Sequence, residues 1–304
     1  MPSPQFIDAV GSDRLHNVYR FTDQIYKIVQ FNRWSDSPLG FCRDSEKFDH
    51  YDHKLDASVS RAKRTILELA LCNDWQWFCT LTIAKDNYDR KNLFAWRDSL
   101  TQWIRDQRKR GFDLKYLLIP EQHEDGSWHA HGFLSGLPVD QLITFKDMDK
   151  AGYRSPGGRR LPYELRNSDY YNWPAYQKKF GICSLGAIKS HVAASFYITK
   201  YMTKDKSFLV GNVGLHLYYC SRGLNRAVKH CSFIDRDPYI DSLLVNKYDF
   251  CSTGFTHLDD DLDIDFCSEF SHSMVKPVDV FAHDNDAADY LEFEQLFIGG
   301  FYGK

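Results

Sequence analysis

At 304 residues, with 43% hydrophobic and 15% aromatic side chains, the chain is long and apolar enough to bury one substantial core and a smaller second unit, which excludes a disordered chain. No apolar stretch reaches bilayer-spanning length, and residues 1–18 lack the basic-then-apolar order of a signal peptide, so neither a membrane partner nor export is expected. The net charge of −3 hides an asymmetry: residues 231–304 hold 4 basic and 16 acidic side chains, leaving 34 basic and 25 acidic in the rest, so a basic body suited to phosphate partners precedes an acidic C-terminal region.

Residues 1–57 are mixed and turn-rich, with 35–40 the clearest breaker cluster, and predict no element. A helix is predicted over 59–71, with Arg61, Lys63 and Arg64 in its first half. Cations there oppose the helix dipole, and a phosphate partner would account for them. The run 75–83 (WQWFCTLTI) is aromatic and β-branched and predicts a buried strand. An amphipathic helix follows over 91–110, where Leu93, Trp96, Leu100, Trp103 and Ile104 recur at helical spacing. Two strands, 114–122 and 128–134, flank Glu124-Asp125-Gly126-Ser127, a hairpin turn signal. A second helix starts near Val139, and 150–180 is irregular, aromatic and basic. The next helix is predicted over 190–204 and a strand over 215–220. Beyond Asp235 the pattern weakens around the acidic run 259–265.

This order predicts an α+β fold with a central antiparallel sheet flanked by helices and an acidic C-terminal extension. The expected division is an N-terminal extension (1–57), a central domain (58–230) and an acidic region (231–304). Eight cysteines are spread without any C-x-x-C, as expected of reduced thiols in a cytoplasm rather than zinc ligands or disulfides.

His129 and His131 lie two apart in a predicted strand, so both imidazoles face one side, half of a divalent-metal site. Glu121 and His123 are likewise two apart in the partner strand. An odd hairpin loop sets Glu121 across from His131 and His123 across from His129; an even loop turns Gln122 to that face instead. Glu121 is the favoured third ligand, because a carboxylate suits Mg²⁺ or Mn²⁺ better than an amide. In the helix over 190–204, Tyr197, Lys200, Tyr201 and Lys204 fall within a narrow arc, expected to be exposed, with Val192, Phe196, Ile198 and Met202 anchoring the other side. Between hairpin and helix, Arg159, Arg160, Tyr170 and Trp173 belong to a mixture of cations and rings suited to single-stranded DNA.

Either motif alone recurs by chance; their order is the specific signal. The strand motif Phe78-Cys79-Thr80-Leu81-Thr82, the His129/His131 hairpin with Glu121 eight residues before, and the Tyr197/Lys200 helix follow one another as in the HUH endonucleases. The chain resembles the rolling-circle replication initiators of that superfamily, most of all the gene II-type and two-tyrosine phage initiators, over residues 58–230. The resemblance implies an HUH/RRM-like nuclease core in which His129, His131 and Glu121 hold Mg²⁺ or Mn²⁺. It implies that Tyr197 attacks single-stranded origin DNA, giving a 5′-phosphotyrosine and a free 3′-hydroxyl, with Lys200 beside it and Tyr201 and Lys204 repeating the pattern. It also implies a bacterial cytoplasm as the place of action. No phosphate-binding G-x-x-x-x-G-K-[ST] is present, so a host helicase and DNA polymerase are the expected partners. The alternatives are a relaxase or single-strand transposase of the same superfamily, or a DNA-binding protein that does not cleave.

Overall fold

The computed structural model describes residues 14–31, 47–123, 125–154, 158–202, 216–235, 244–247, 251–258 and 275–277. In chain order these form β1 (Arg14–Arg20), β2 (Ile25–Phe31), α1 (Lys47–Leu71), β3 (Trp77–Thr82), α2 (Leu93–Lys109), β4 (Lys115–Gln122), β5 (Trp128–Ser135) and β6 (Ile143–Thr144). Then follow α3 (Phe145–Lys150), α4 (Tyr163–Asn167), β7 (Tyr171–Asn172), α5 (Pro174–Lys179), β8 (Cys183–Ala187) and α6 (His191–Tyr197). A 3₁₀ turn (Ile198–Met202) continues α6, and β9 (Tyr219–Cys220), β10 (Val228–Asp235), β11 (Asn246–Lys247), β12 (Cys251–Leu258) and β13 (Val275–Pro277) complete the series. The described residues fall into two compact units, one within His50–Asn225 and the other drawn from Met1–Asp49 and Arg226–Asp279.

The larger unit is built on a seven-stranded antiparallel sheet ordered β6-β7-β8-β3-β5-β4-β9, which is the expected α+β architecture. Period-two alternation divides each central strand between two faces. On one face Trp77, Cys79, Leu81, Ala130 and Leu134 pack under α2, whose buried stripe is the predicted set Leu93, Trp96, Leu100, Trp103 and Ile104. The Asn92 side chain accepts from the Ala95 amide at 3.1 Å and starts that helix; Arg108 in its last turn donates to the Leu114 carbonyl at 2.8 Å, tying its end to the strand that follows. On the other face Phe78, Leu117, Ile119 and Phe133 pack with Ala62, Ile66, Leu69 and Ala70 of α1 and with Ala194, Tyr197, Ile198 and Tyr201. Gly132 lies where β4 and β5 approach closely: a Cβ there would sit 2.0 Å from the Leu117 carbonyl oxygen.

Where a helix was expected from near Val139 there is a 3₁₀ turn (Val139–Gln141) and then α3, while residues 150–180, predicted as irregular, carry α4, β7 and α5, and Phe145, Met148, Leu161, Leu165 and Ile182 form a small core of their own. The helix predicted over 190–204 is an α-helix only to Tyr197, and the strand predicted over 215–220 narrows to Tyr219–Cys220.

In the smaller unit β10, β1, β2, β12 and β11 pair antiparallel in that order, with β13 on β12. Strands from both ends of the chain therefore share one sheet, where no element was expected before residue 58. Its turn after β1 is closed by Thr22 Oγ1, which accepts from the Ile25 amide at 3.0 Å. The acidic run 259–265 lies outside the described residues. Cys72, Cys79, Cys183, Cys220 and Cys231 are free thiols, and among the described residues no helix is long and apolar enough to cross a membrane.

Candidate metal centre and tyrosine helix

The β4–β5 hairpin fixes the three candidate ligands. Its last strand pair is Gln122 with Trp128, leaving a five-residue loop. Within it the Gly126 amide donates to the His123 carbonyl at 2.8 Å, and Asp125 Oδ1 accepts from the Ser127 amide at 2.8 Å. Gly126 takes the left-handed conformation, with φ of +80°. Arg90 grips the loop from outside, donating to Ser127 Oγ at 2.8 Å. The odd loop puts Glu121 on the histidine face, as one of the two expected registers required. The pairing is nevertheless two residues away from that register: Glu121 faces His129, and Ile119 faces His131. The turn is centred on Asp125 rather than Gly126, because the His123 amide donates to the Ser127 carbonyl at 2.8 Å and pairs those two residues across it.

Glu121 Oε2 lies 3.1 Å from His129 Nε2 and 3.0 Å from His131 Nε2. Both imidazoles are buried, at 3% and 0% exposure. Burial works against ionising Glu121, but the hydrogen bonds from His129 and His131 outweigh it and hold the carboxyl well below the ordinary carboxylate range. Burial, reinforced by the neighbouring His131, pushes His129 down to about 3, so the ring is neutral at neutral pH. One carboxylate oxygen and two imidazole nitrogens, all within 4.8 Å of one another, can therefore enclose a single divalent cation. His129 Nδ1, on the other side of that ring from Glu121, is buried with no hydrogen-bond partner among the described residues. His123, half-buried, lays its ring against His129 with centroids 4.2 Å apart.

β3 adds a further polar side chain to the cluster, from the Phe78–Thr82 motif. Thr80 faces His131 across the sheet, and its Oγ1 lies 3.2 Å from His131 Nδ1. Thr82, two residues on and facing His129, sends its hydroxyl elsewhere, to the Ile182 carbonyl.

The tyrosines share the face of the sheet that carries the ligands, but not as an exposed arc. Tyr197 is 2% exposed and Tyr201 6%, whereas Lys200 is exposed. Ala194, Tyr197, Ile198 and Tyr201 follow the i, i+3, i+4, i+7 spacing of a buried stripe, so the phenols lie inward with Ile198 rather than opposite it. The Tyr201 ring stacks on His131 at 4.2 Å with 12° between planes, and its Oη donates to Tyr197 Oη at 2.8 Å. Tyr197 also meets Phe78 at 5.7 Å, and Lys200 Nζ sits 5.5 Å from the Tyr197 ring centroid. Lys204 lies outside the described residues.

The expected DNA contacts divide. Arg61 and Arg64 are exposed and Lys63 half-buried on α1, whose inner side packs on the same cluster as the tyrosines. Arg159 is exposed, but Arg160 is committed to Asp149 at 2.6 Å. Trp173 is a correction: it is 3% exposed and packs on Trp103 at 4.7 Å, under the opposite face of the sheet, so it offers no ring to a base. Tyr170 is half-buried beside Gly186, where a Cβ would come within 2.4 Å of its ring. Tyr163 is 67% exposed and lies by the Arg166 guanidinium at 5.6 Å, making it the better stacking surface in this segment.

Residues 76–206 match the family model described as replication-associated protein ORF2/G2P. The match runs from the start of β3 past the tyrosine helix and so includes every residue of the cluster, but not Arg61, Lys63 or Arg64. No curated protein and no solved structure matches the chain.

Proposed function

We propose that this chain initiates rolling-circle replication by cutting single-stranded origin DNA with a tyrosine, as an HUH-type nuclease. The observation that carries the reading is that Glu121, His129, His131 and Tyr201 meet on one sheet face, with the Tyr201 ring laid on His131, inside the segment that matches the replication-associated family.

Glu121, His129 and His131 would hold Mg²⁺ or Mn²⁺, which when bound supplies Lewis-acid polarisation of the scissile phosphate. The chain's own groups supply the rest. A phenol oxygen forms the new bond to phosphorus, the bond from phosphorus to the 3′ oxygen breaks, and that oxygen takes up a proton as the 3′-hydroxyl. The 5′ end stays on the enzyme as a phosphotyrosine. Because one phosphodiester replaces another, the step needs no nucleotide cofactor and can run backward to rejoin strands. A phenol with a pKa near 10 is a weak nucleophile at neutral pH, so nearby cations must favour its ionised form. Lys200 is one of them, and the Tyr201 hydroxyl, which donates to Tyr197 Oη, would stabilise the ionised Tyr197 oxygen. Arg61, Lys63, Arg64 and Arg159 would follow the DNA backbone. Host helicase and polymerase would then extend the 3′-hydroxyl, in a bacterial cytoplasm.

First attack falls to Tyr197 by its Tyr-x-x-Lys spacing to Lys200. A second reading gives it to Tyr201, and the stacking of that ring on His131 favours it. Incubation with labelled single-stranded origin DNA and Mn²⁺, followed by denaturing gels and mass spectrometry of the adduct, decides both questions. A covalent adduct is expected, lost in Tyr197→Phe under the first reading and in Tyr201→Phe under the second. Tight DNA binding with no adduct on either residue would leave only a DNA-binding protein.

A further inference from the structure

We infer that Thr80 is a positioning residue for the metal site, whose hydroxyl follows the proton of His131 from one ring nitrogen to the other; the inference rests on the metal reading above. Thr80 and Thr82 are both buried on the same face of β3, at 2% and 1% exposure, yet their hydroxyls do different jobs. Thr82 Oγ1 bonds a backbone carbonyl, a use that serves the fold. Thr80 Oγ1 bonds His131 Nδ1, the ring nitrogen turned away from Glu121.

The second nitrogen, Nε2, lies 3.0 Å from Glu121 Oε2. At that distance a bare Nε2 lone pair would be repelled by the ionised carboxylate, so the proton sits on Nε2, and Nδ1 is then an acceptor to which Thr80 donates. An imidazole that ligates through Nε2 must give up that proton and carry one on Nδ1 instead; Nδ1 then donates and Thr80 Oγ1 accepts. A carbonyl or carboxylate opposite Nδ1 would fix a single tautomer. A hydroxyl both donates and accepts, so Thr80 satisfies His131 in both arrangements without moving the ring. Ring rotation is also opposed by the Tyr201 ring stacked 4.2 Å away.

The test titrates the full chain with Mn²⁺ alone and follows free Mn²⁺ by electron paramagnetic resonance. Thr80→Val keeps the β-branched shape and removes the hydroxyl; it is expected to weaken Mn²⁺ binding about 10–100-fold, the usual effect of losing a partner behind a metal-ligating histidine. Thr80→Ser restores the hydroxyl and is expected to bind as the unsubstituted chain does. Thr82→Val removes the neighbouring hydroxyl and is expected to leave the affinity unchanged. Should Thr80→Val fail to fold, nitrogen NMR of the unsubstituted chain with and without Mg²⁺ reads the tautomer directly. The His131 proton is expected on Nε2 without Mg²⁺ and on Nδ1 with it. Equal Mn²⁺ affinity in Thr80→Val, or a proton that stays on one nitrogen while Mg²⁺ binds, overturns the role of Thr80 and leaves the metal site standing. An unsubstituted chain that binds no Mn²⁺ overturns both.

Discussion

The two faces of the central sheet are made by the same strands and do opposite work. Under α2, Trp77, Cys79, Leu81, Ala130 and Leu134 meet Trp96, Leu100 and Ile104 in a closed apolar layer. On the other face the same strands set Thr80, Thr82, Glu121, His129 and His131 among Phe78, Ile119 and Phe133. Buried polar groups cost stability unless each finds a partner, and here they find mostly one another. One face therefore supplies cohesion by area, while the other spends part of its burial on holding the His129 imidazole neutral and the Glu121 carboxylate ionised.

The sharpest way to break this contrast is to remove one group from each face. His131→Ala, and equally His129→Ala, is expected to abolish strand cleavage and Mn²⁺ binding while DNA retention on a filter stays close to that of the parent. Trp96→Ala on the opposite face, at 1% exposure, is expected to cost about 3–5 kcal/mol in denaturant unfolding without changing cleavage per folded molecule. Full cleavage by the histidine variants at low Mn²⁺ would remove the metal assignment.

A smaller effect sharpens the comparison through pH. His129 is held down to about 3 from an ordinary value of 6.5, so the unfolded chain takes up a proton that the folded chain refuses. The stability from its neutral form is complete above about 6.5 and is lost as pH falls toward 3. Glu121, also depressed, adds a loss of the same sign that begins below the ordinary carboxylate value of 4.5. In chelator, the melting temperature should therefore fall from pH 7 to pH 5, and His129→Gln should flatten that slope. An unchanged slope in the variant would mean that His129 is not the group resisting protonation.

Much of the ligand cluster was legible because it depends only on period two: His129 and His131 must share a face, and any odd loop brings Glu121 to it. Which residue faces which depends on where the turn is centred, here on Asp125 with His123 bonded to Ser127 across it, and strand patterning does not encode that. The tyrosine helix misled for a different reason. Tyrosine is amphipathic, so an arc containing Tyr197, Tyr201 and Lys200 reads as polar, although Ala194 and Ile198 complete a buried stripe with the two phenols. Trp173 was misread by the same ambiguity in reverse, as a ring for DNA when it belongs to the core. The smaller sheet was hidden because its buried residues include His16 and Gln30, which break the apolar alternation of β1 and β2. The aromatic and β-branched run of β2 after Thr22 was the available signal.

The smallest expected effect concerns the acidic run, and it bears on which face of the chemistry the C-terminal region serves. Truncation near residue 235 would remove β12, which pairs with β2 along Cys251–His257, so a clean test must spare that sheet. Replacing Asp259, Asp260, Asp261, Asp263 and Asp265 by asparagine keeps chain length and side-chain size while removing five negative charges. Those charges repel phosphates and offer no nucleophile, so the cleavage rate at saturating DNA should not change. Affinity for single-stranded DNA should rise slightly at low salt and converge with that of the parent near physiological ionic strength, where charges more than about 8 Å apart are screened. Cleavage assays at saturating DNA, paired with binding isotherms at two salt concentrations, separate the two effects. A fall in the saturated rate would place these aspartates in the chemistry of the site, and would mean that Glu121 is not the only carboxylate the reaction uses.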